Sequence, residues 1–140
     1  MRLLRPTHAR FTAGVVGVVQ NEAGAVLLVE HVFHAPDAWG LPGGWIDRHE
    51  TPQEALKREM REELGLEVTV LEPVLVGHGG LSAHIDIAFW CRAENEVGRL
   101  SAELLDHRWA AGSDLPPMPP FHQAAVSAAL SRRLCEGTDI

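Results

Sequence analysis

Residues 44–66 read GWIDRHETPQEALKREMREELGL. Gly44, Glu50, Arg58, Glu59, Glu62, Glu63 and Gly65 fall at the spacing G-x5-E-x7-R-E-U-x-E-E-x-G-U, with the apolar Met60 and Leu66 at the positions marked U. The local grammar is that of a loop entering a helix. Thr51-Pro52-Gln53-Glu54 has the form of a capping box with proline at the first helical position, and Gly65 stands where a left-handed residue ends a helix. A helix over residues 52–64 is expected. At 100° per residue Leu56, Met60 and Leu64 make one apolar stripe, and Glu59, Glu62 and Glu63 lie beside it within an arc of roughly 100°.

Three carboxylates on one edge of the core-facing side are locally unfavourable. Glu59 and Glu63 repel at i,i+4, and all three sit toward the helix C-terminus, where the macrodipole disfavours anions. One reading is a solvated charged face, with Glu54–Arg58 and Arg58–Glu62 as compensating i,i+4 pairs. The preceding residues Trp39-Gly40-Leu41-Pro42-Gly43-Gly44 favour another. A hard divalent cation relieves the repulsion, because magnesium takes carboxylate oxygens, keeps waters and shares its remaining positions with substrate phosphates. Gly43 and Gly44 allow close backbone approach and Pro42 stiffens the entry, so a main-chain carbonyl can complete the metal shell.

The motif resembles the Nudix box residue for residue, and the resemblance to Nudix hydrolases extends more loosely over nearly the whole chain. It implies hydrolysis of a pyrophosphate bond in a nucleoside diphosphate linked to a further group X. By position it makes Glu59, Glu62 and Glu63 metal ligands together with the Gly43 carbonyl, for Mg²⁺ or Mn²⁺. Arg58 and Glu50 become a structural brace between loop and helix. Trp39, Gly43, Gly44 and His84 are the candidate substrate contacts. The general base is expected among Glu62, Glu63 and Glu103, the last standing six residues before Trp109 in a loop that precedes a late strand; the competing reading of Glu103 is plain surface charge. His49 and Asp47 depart from residues common in the family, glycine and glutamate, at positions the box does not fix.

Composition is consistent with this reading. A chain of 140 residues with 46% hydrophobic content is expected to form one domain, residues 1–140, around a sizeable core. A net charge of −7 argues against binding long nucleic acids, which relies on basic surface and counterion release. Cys91 and Cys135 form no CxxC pair and read as free thiols. No signal-like apolar run and no run near the roughly 18 residues of a membrane span is found, so a cytoplasmic protein with no membrane partner is expected. A homodimer is the assembly the resemblance suggests.

Outward from the box, residues 11–19 and 25–30 read as strands joined by a turn at Asn21-Glu22-Ala23-Gly24, an early hairpin. A loop follows over residues 31–40. Residues 68–76 and 85–92 read as further strands, with Pro73 marking an edge or bend in the first and a Gly/His loop over 77–84 between them. A strand near residues 107–110, a proline-rich spacer over 115–120 and a last helix over residues 121–134 complete the chain. The pattern gives a mixed sheet between two helical layers, which the resemblance sharpens to an α/β/α sandwich.

The eight histidines form no HxxxH or His/Cys cluster. His78 and His84 flank the loop that can face substrate. Phe33, Trp39, Trp45 and Phe89 are candidates for stacking on a base, with core packing as the competing role. The marks of dinucleoside polyphosphate, ADP-ribose and NADH enzymes are missing, which leans the substrate toward canonical or modified nucleoside triphosphates, with nucleotide sugars and ADP-ribose next. Two other classes stay open. One is an isomerase of isopentenyl diphosphate, which needs a pocket cysteine such as Cys91. The other is an inactive binding or regulatory module, which typically lacks the glutamates that this chain retains.

Overall fold

The run TAGVVGVVQ forms the central strand β1 (Thr12–Gln20), and its period-two alternation sorts the protein into two cores. Val15 and Val19 face one side, where Leu27, Val29 and Phe89 join Ala55, Leu56, Met60 and Leu64. Val16 and Val18 face the other, where Val26, Leu28 and Ala88 meet Ala125, Val126 and Ala129. A strand buried on both faces needs apolar residues at successive positions, which explains the continuous valine run. The computed structural model describes residues 8–32, 39–78 and 82–136, the last four by backbone alone.

The described elements after β1 are β2 (Val26–His31), β3 (Trp39–Gly40), β4 (Gly43–Trp45), α1 (Pro52–Leu64), β5 (Val68–Gly77), β6 (His84–Ala93), β7 (Leu104–Ala110) and α2 (Pro120–Glu136). The strands join in one sheet of order β3-β2-β1-β6-β5, with β4 added to β1 and β7 to β2. β1 and β6 run parallel from Thr12↔His84 to Gln20↔Arg92, and the other pairings are antiparallel. The sheet is mixed and lies between α1 and α2 in an α/β/α sandwich.

The hairpin of β1 and β2 is joined by one register pair, Gln20↔Val26. Its turn is built as the sequence suggests: Gly24 has φ 82°, and Asn21 accepts the Ala25 N–H through its side chain. Beyond that pair the strands part. The opening is filled by β4, paired Gly14↔Trp45, Val15↔Gly44 and Val16↔Gly43, while the Gly17 N–H donates to the Pro42 carbonyl at 2.9 Å. This split brings the Gly-rich segment to the middle of the sheet. Gly43 is required there, because a Cβ on it would lie 2.0 Å from the Val15 carbonyl oxygen.

α1 has the expected bounds. Thr51 accepts the Glu54 N–H at 3.1 Å, Glu54 accepts the Thr51 N–H at 3.1 Å, and Gly65 ends the helix at φ 58°. Its last carbonyls, which no helical N–H reaches, are met by the loop between β6 and β7: Gly98 donates to Leu64 at 2.8 Å and Ser101 to Glu63 at 2.9 Å. The chain at Glu103 is thereby drawn toward the helix C-terminus. β5 is an edge strand with register shifts on either side of Glu72–Pro73, the interruption that Pro73 announces.

Boundaries differ from the sequence reading where pairing extends a strand beyond its apolar residues. Trp39 and Gly40 lie in a strand on β2 rather than in the expected loop, Gly77 ends β5, His84 opens β6, and β7 begins at Leu104. His31 ends β2, while residues 33–38 of the expected loop, Phe33 included, residues 79–81 of the 77–84 loop and the Cys135 and Leu134 side chains lie outside the described residues. No helix among the described residues is long and apolar enough to cross a membrane. Replacing Thr51 by alanine removes one cap bond from α1 and is expected to cost about 1 kcal/mol. A drop of about 2–4 °C in thermal unfolding by circular dichroism is the matching readout, and an unchanged midpoint contradicts the cap's contribution.

Candidate active site

Arg58 projects from α1 across the loop that precedes it, and its five N–H groups are all engaged. Nε and Nη2 form a fork on Glu50 at 2.7 and 2.9 Å, and Nη2 also donates to the Trp45 carbonyl at 3.1 Å. Nη1 donates to Glu59 at 2.9 Å and Glu62 at 3.3 Å, while Asp47 lies 3.5 Å from Nη2. The fork, with a further bond from the Asp47 N–H, holds the Glu50 carboxyl at about 2, well below the usual carboxylate range, and raises Arg58 beyond its ordinary value. His49 sits in this loop at φ 65°, a left-handed turn for which glycine is the easier residue.

Glu59 and Glu63 lie at the base of the loop. The Glu59 carboxylate rests against the bare face of Gly44: a Cβ there would come within 2.3 Å of its carboxyl carbon. Burial raises Glu59, and Arg58 opposes that rise. Glu63 is 6% exposed and outside the reach of the guanidinium. Burial pushes it up to about 8, assisted by the charges of Glu59 and Glu103 and by a hydrogen bond of its protonated form to Glu59. Its Oε2 is buried with no hydrogen-bond partner. Glu62 stands at the rim, 60% exposed and turned to Arg58. Glu103 is exposed at the start of β7, near enough to act electrostatically on Glu63.

The described residues hold no preassembled group of three metal-ligating side chains, and the site presents the buried Glu63 against the half-buried Glu59, with Glu62 and Glu103 beside them. The donor set still fits a hard cation. An orphaned buried carboxyl oxygen, a second carboxylate against it and a glycine backbone that Glu59 touches directly are oxygen donors with excess negative charge.

On the opposite side of Gly43 and Gly44 lies a cleft of about 150 Å³ lined by Gly14, Trp45, His84, Asp86 and His122, among others. His84 is buried, with Nδ1 2.6 Å from the Thr12 hydroxyl and Nε2 3.0 Å from Asp86 Oδ1. Trp45, 56% exposed, has its ring centroid 5.1 Å from that of His84. His122, on α2, accepts the Leu41 N–H at 2.9 Å and ties the second helix to the Gly-rich segment. Two larger open grooves, of about 560 and 680 Å³, flank Asn21 and Glu22 at the far end of β1, and no residue of the 44–66 stretch lines either.

Among the other candidates, Trp39 carries the Arg108 guanidinium 5.6 Å from its ring centre and packs on the α2-side core. Phe89 and Cys91 are core residues on the α1 side, and burial pushes the Cys91 thiol up to about 12. Thr12 and Asp86 were not among the residues singled out from the sequence. His84 and Asp86 are two apart on a strand and so share a face, a signal available in the sequence. The contact to Thr12 spans 72 positions and has none.

The family model of the NUDIX domain matches residues 10–134. The chain belongs to the NUDIX family. A MutT-like protein of Streptomyces ambofaciens is 32% identical over 104 residues, 74% of this chain and 64% of that protein. An RNA pyrophosphohydrolase of Pseudomonas aeruginosa is 46% identical over 57 residues, 41% of this chain and 35% of its own length. The chain thus spans under two thirds of these relatives. The crystal structure of a NUDIX hydrolase from Nitrosomonas europaea superposes with a TM-score of 0.81 at 18% identity, covering 91% of this chain and 74% of that one, a likeness of fold.

Glu63 links the NUDIX site to stability. Its carboxyl titrates near 4.5 when unfolded and near 8 in the metal-free fold, so between those values the folded state binds the extra proton. This group's contribution therefore falls as pH rises from about 4.5 to about 8 and is flat above. Chemical denaturation across that window, without metal, is expected to show wild type losing stability relative to Glu63→Gln; parallel pH profiles of the two proteins contradict it.

Proposed function

We propose that this chain is a divalent-metal-dependent hydrolase that splits a pyrophosphate linkage in a nucleoside diphosphate joined to a second group. The observation that carries the reading is Glu63: a buried carboxyl with an orphaned oxygen, pressed against Glu59 and within the field of Glu103. A site built for structure alone is served better by an apolar residue there. Glu59, Glu62, Glu63 and the Gly43 carbonyl would hold the cation, with Mg²⁺ expected and Mn²⁺ as substitute. When bound, it supplies positive charge to the pyrophosphate oxygens and acidifies water.

The chain's own residues do the rest. Gly44 keeps the approach beside Glu59 free of a side chain, and Arg58 holds the loop to the helix while restraining Glu59 and Glu62. Glu62, Glu63 and Glu103 are the groups placed to take the proton of the attacking water. Glu103 is the exposed member of the set on a separate element, so it can reach the water from outside the helix edge. Trp39, His84 and the two glycines are the proposed substrate contacts. The retained glutamates speak against an inactive binding module, and the burial of Cys91 removes that thiol as an isomerase nucleophile.

Nucleoside triphosphates or their modified forms are the proposed substrates, with nucleotide sugars and ADP-ribose next. The names of the MutT-like and pyrophosphohydrolase relatives support phosphoanhydride cleavage. A single-domain cytoplasmic homodimer is the proposed setting. Incubation with magnesium or manganese and canonical and oxidised nucleoside triphosphates, nucleotide sugars, ADP-ribose, dinucleoside polyphosphates and a 5′-triphosphorylated oligoribonucleotide, followed by chromatography, is expected to show metal-dependent release of a mononucleotide or shortened product. Glu63→Gln is expected to lower turnover at least a thousandfold while retaining the fold, and unimpaired turnover overturns the assignment of the helix carboxylates. Glu103→Gln is expected to lower kcat about 10²–10⁴-fold with KM little changed if Glu103 is the base. A kcat within twofold of wild type assigns that proton to the helix instead.

A further inference from the structure

The α2-side cleft has a construction that the phosphate chemistry does not use. Gly14 pairs with Trp45 on one neighbouring strand and with Asp86 on the other, so the three residues lie in a row across the sheet with their side-chain positions on one face. The middle position has no side chain. A Cβ on Gly14 would fall 2.5 Å from Asp86 Oδ1 and 3.0 Å from His84 Nε2, so the absent methyl is what lets the carboxylate lean into the row. The result is a recess over Gly14 where an exposed indole, its ring centroid 5.1 Å from that of His84, stands across the sheet from a carboxylate.

The carboxylate is oriented. His84 Nε2 donates to Asp86 Oδ1 at 3.0 Å, while Nδ1 meets the Thr12 hydroxyl at 2.6 Å, and the imidazole is buried between them. Thr12 and His84 pair directly on β1 and β6, one register step of two from Gly14 and Asp86. The relay thus fixes the ring and the ring fixes the acid. At neutral pH an ionised carboxylate is acceptor-only, with two oxygens that suit two parallel donors. The cation proposed between the helix carboxylates puts the phosphates of a nucleotide on the Glu59 side of Gly43 and Gly44, which leaves its other end to this side.

Edge chemistry then selects the occupant. Guanine offers an amide N–H and an amino group side by side, matching two carboxylate oxygens. Adenine offers an amino donor beside a ring-nitrogen acceptor, cytosine likewise, and uracil or thymine one N–H between two carbonyls, so each sets a lone pair against the acid. Trp45 supplies a stacking surface that any base accepts and thus adds affinity without choice. We propose that this cleft recognises a guanine-type base, with Asp86 accepting its N–H donors, His84 and Thr12 as positioning residues, and Trp45 as the stacking wall. This deepens the proposed hydrolase function and rests on it for the placing of the phosphates.

The test is equilibrium binding without metal, by calorimetry, of guanosine, inosine and adenosine monophosphates. Wild type is expected to bind the guanosine form about tenfold or more tighter than the adenosine form, with inosine, which lacks the amino group, between them. Asp86→Asn presents one donor and one acceptor and is expected to reverse the order toward adenosine. Gly14→Ala is expected to abolish the preference by displacing the carboxylate, and Trp45→Ala to weaken all three ligands alike. Equal affinities in wild type, no binding of any of the three, or an undiminished guanosine preference in Asp86→Asn overturns the proposal. Turnover of guanosine triphosphate with magnesium, run in parallel, separates the two readings: base preference without turnover removes the hydrolase and leaves the recognition site, and turnover without base preference does the reverse.

Discussion

The guanidinium of Arg58 is the constraint on which the site depends. Apart from Glu54, which is committed to the Thr51 cap, four glutamates fall in the short stretch from Glu50 to Glu63, and Arg58 has five N–H groups with which to hold them. Two go to Glu50 as a fork, one each to Glu59 and Glu62, and the last to the Trp45 carbonyl. This binds the loop to the helix, beside the packing of Ile46 on the α1-side core. It also exhausts the donor. Glu63 is the one acid of the four that Arg58 does not reach, and it is the most buried of them. The unmet acceptor capacity of the motif is therefore concentrated on one buried oxygen, which is what makes the site responsive to a proton or a cation instead of a rigid salt-bridge cluster.

The second constraint is backbone proximity in β4. Gly43 is pressed against the β1 backbone and Gly44 against the Glu59 carboxylate, so neither position tolerates a methyl group without movement of its neighbours. One strand of three residues thereby separates two chemically opposite environments. On the α1 side lie acids that need positive charge, and on the α2 side lies a recess flanked by an aromatic ring and an oriented acid. The parting of β1 and β2 after one pair is what makes room for this strand, and the tether from His122 to Leu41 carries the second helix to the same place.

Much of this was legible beforehand because it is written locally. The bounds of α1, its capping box, its left-handed end and the acid edge follow from spacings of three, four and seven, which a sequence displays directly. The two-sided burial of β1 follows from its unbroken valines. What escaped depends on partners distant in the chain. Trp39 reads as loop because a two-residue strand has no periodicity, and it is ordered by the edge of β2. The pairing of β1 with β6, 72 positions apart, creates the Thr12–His84 contact, and no local pattern announces it. Gly14 carries no local signal, and its role lies in Asp86 occupying the space its side chain would take.

The net charge of −7 is at odds with the proposed phosphate chemistry, and the distribution of the acids resolves the conflict. Glu50 is fully committed to Arg58 and stays ionised far below neutral pH. Glu63, raised to about 8, is predominantly neutral at pH 7 without metal, so the carboxylate pair then carries less negative charge than its residue count implies. On the proposed reading, proton and cation compete for the same buried oxygen, and loading one displaces the other. The metal-free protein is then stabilised by the proton that metal binding must release. On that reading the glutamate that would bind the cation is also the one whose protonation keeps the metal-free fold from carrying two repelling charges at i,i+4.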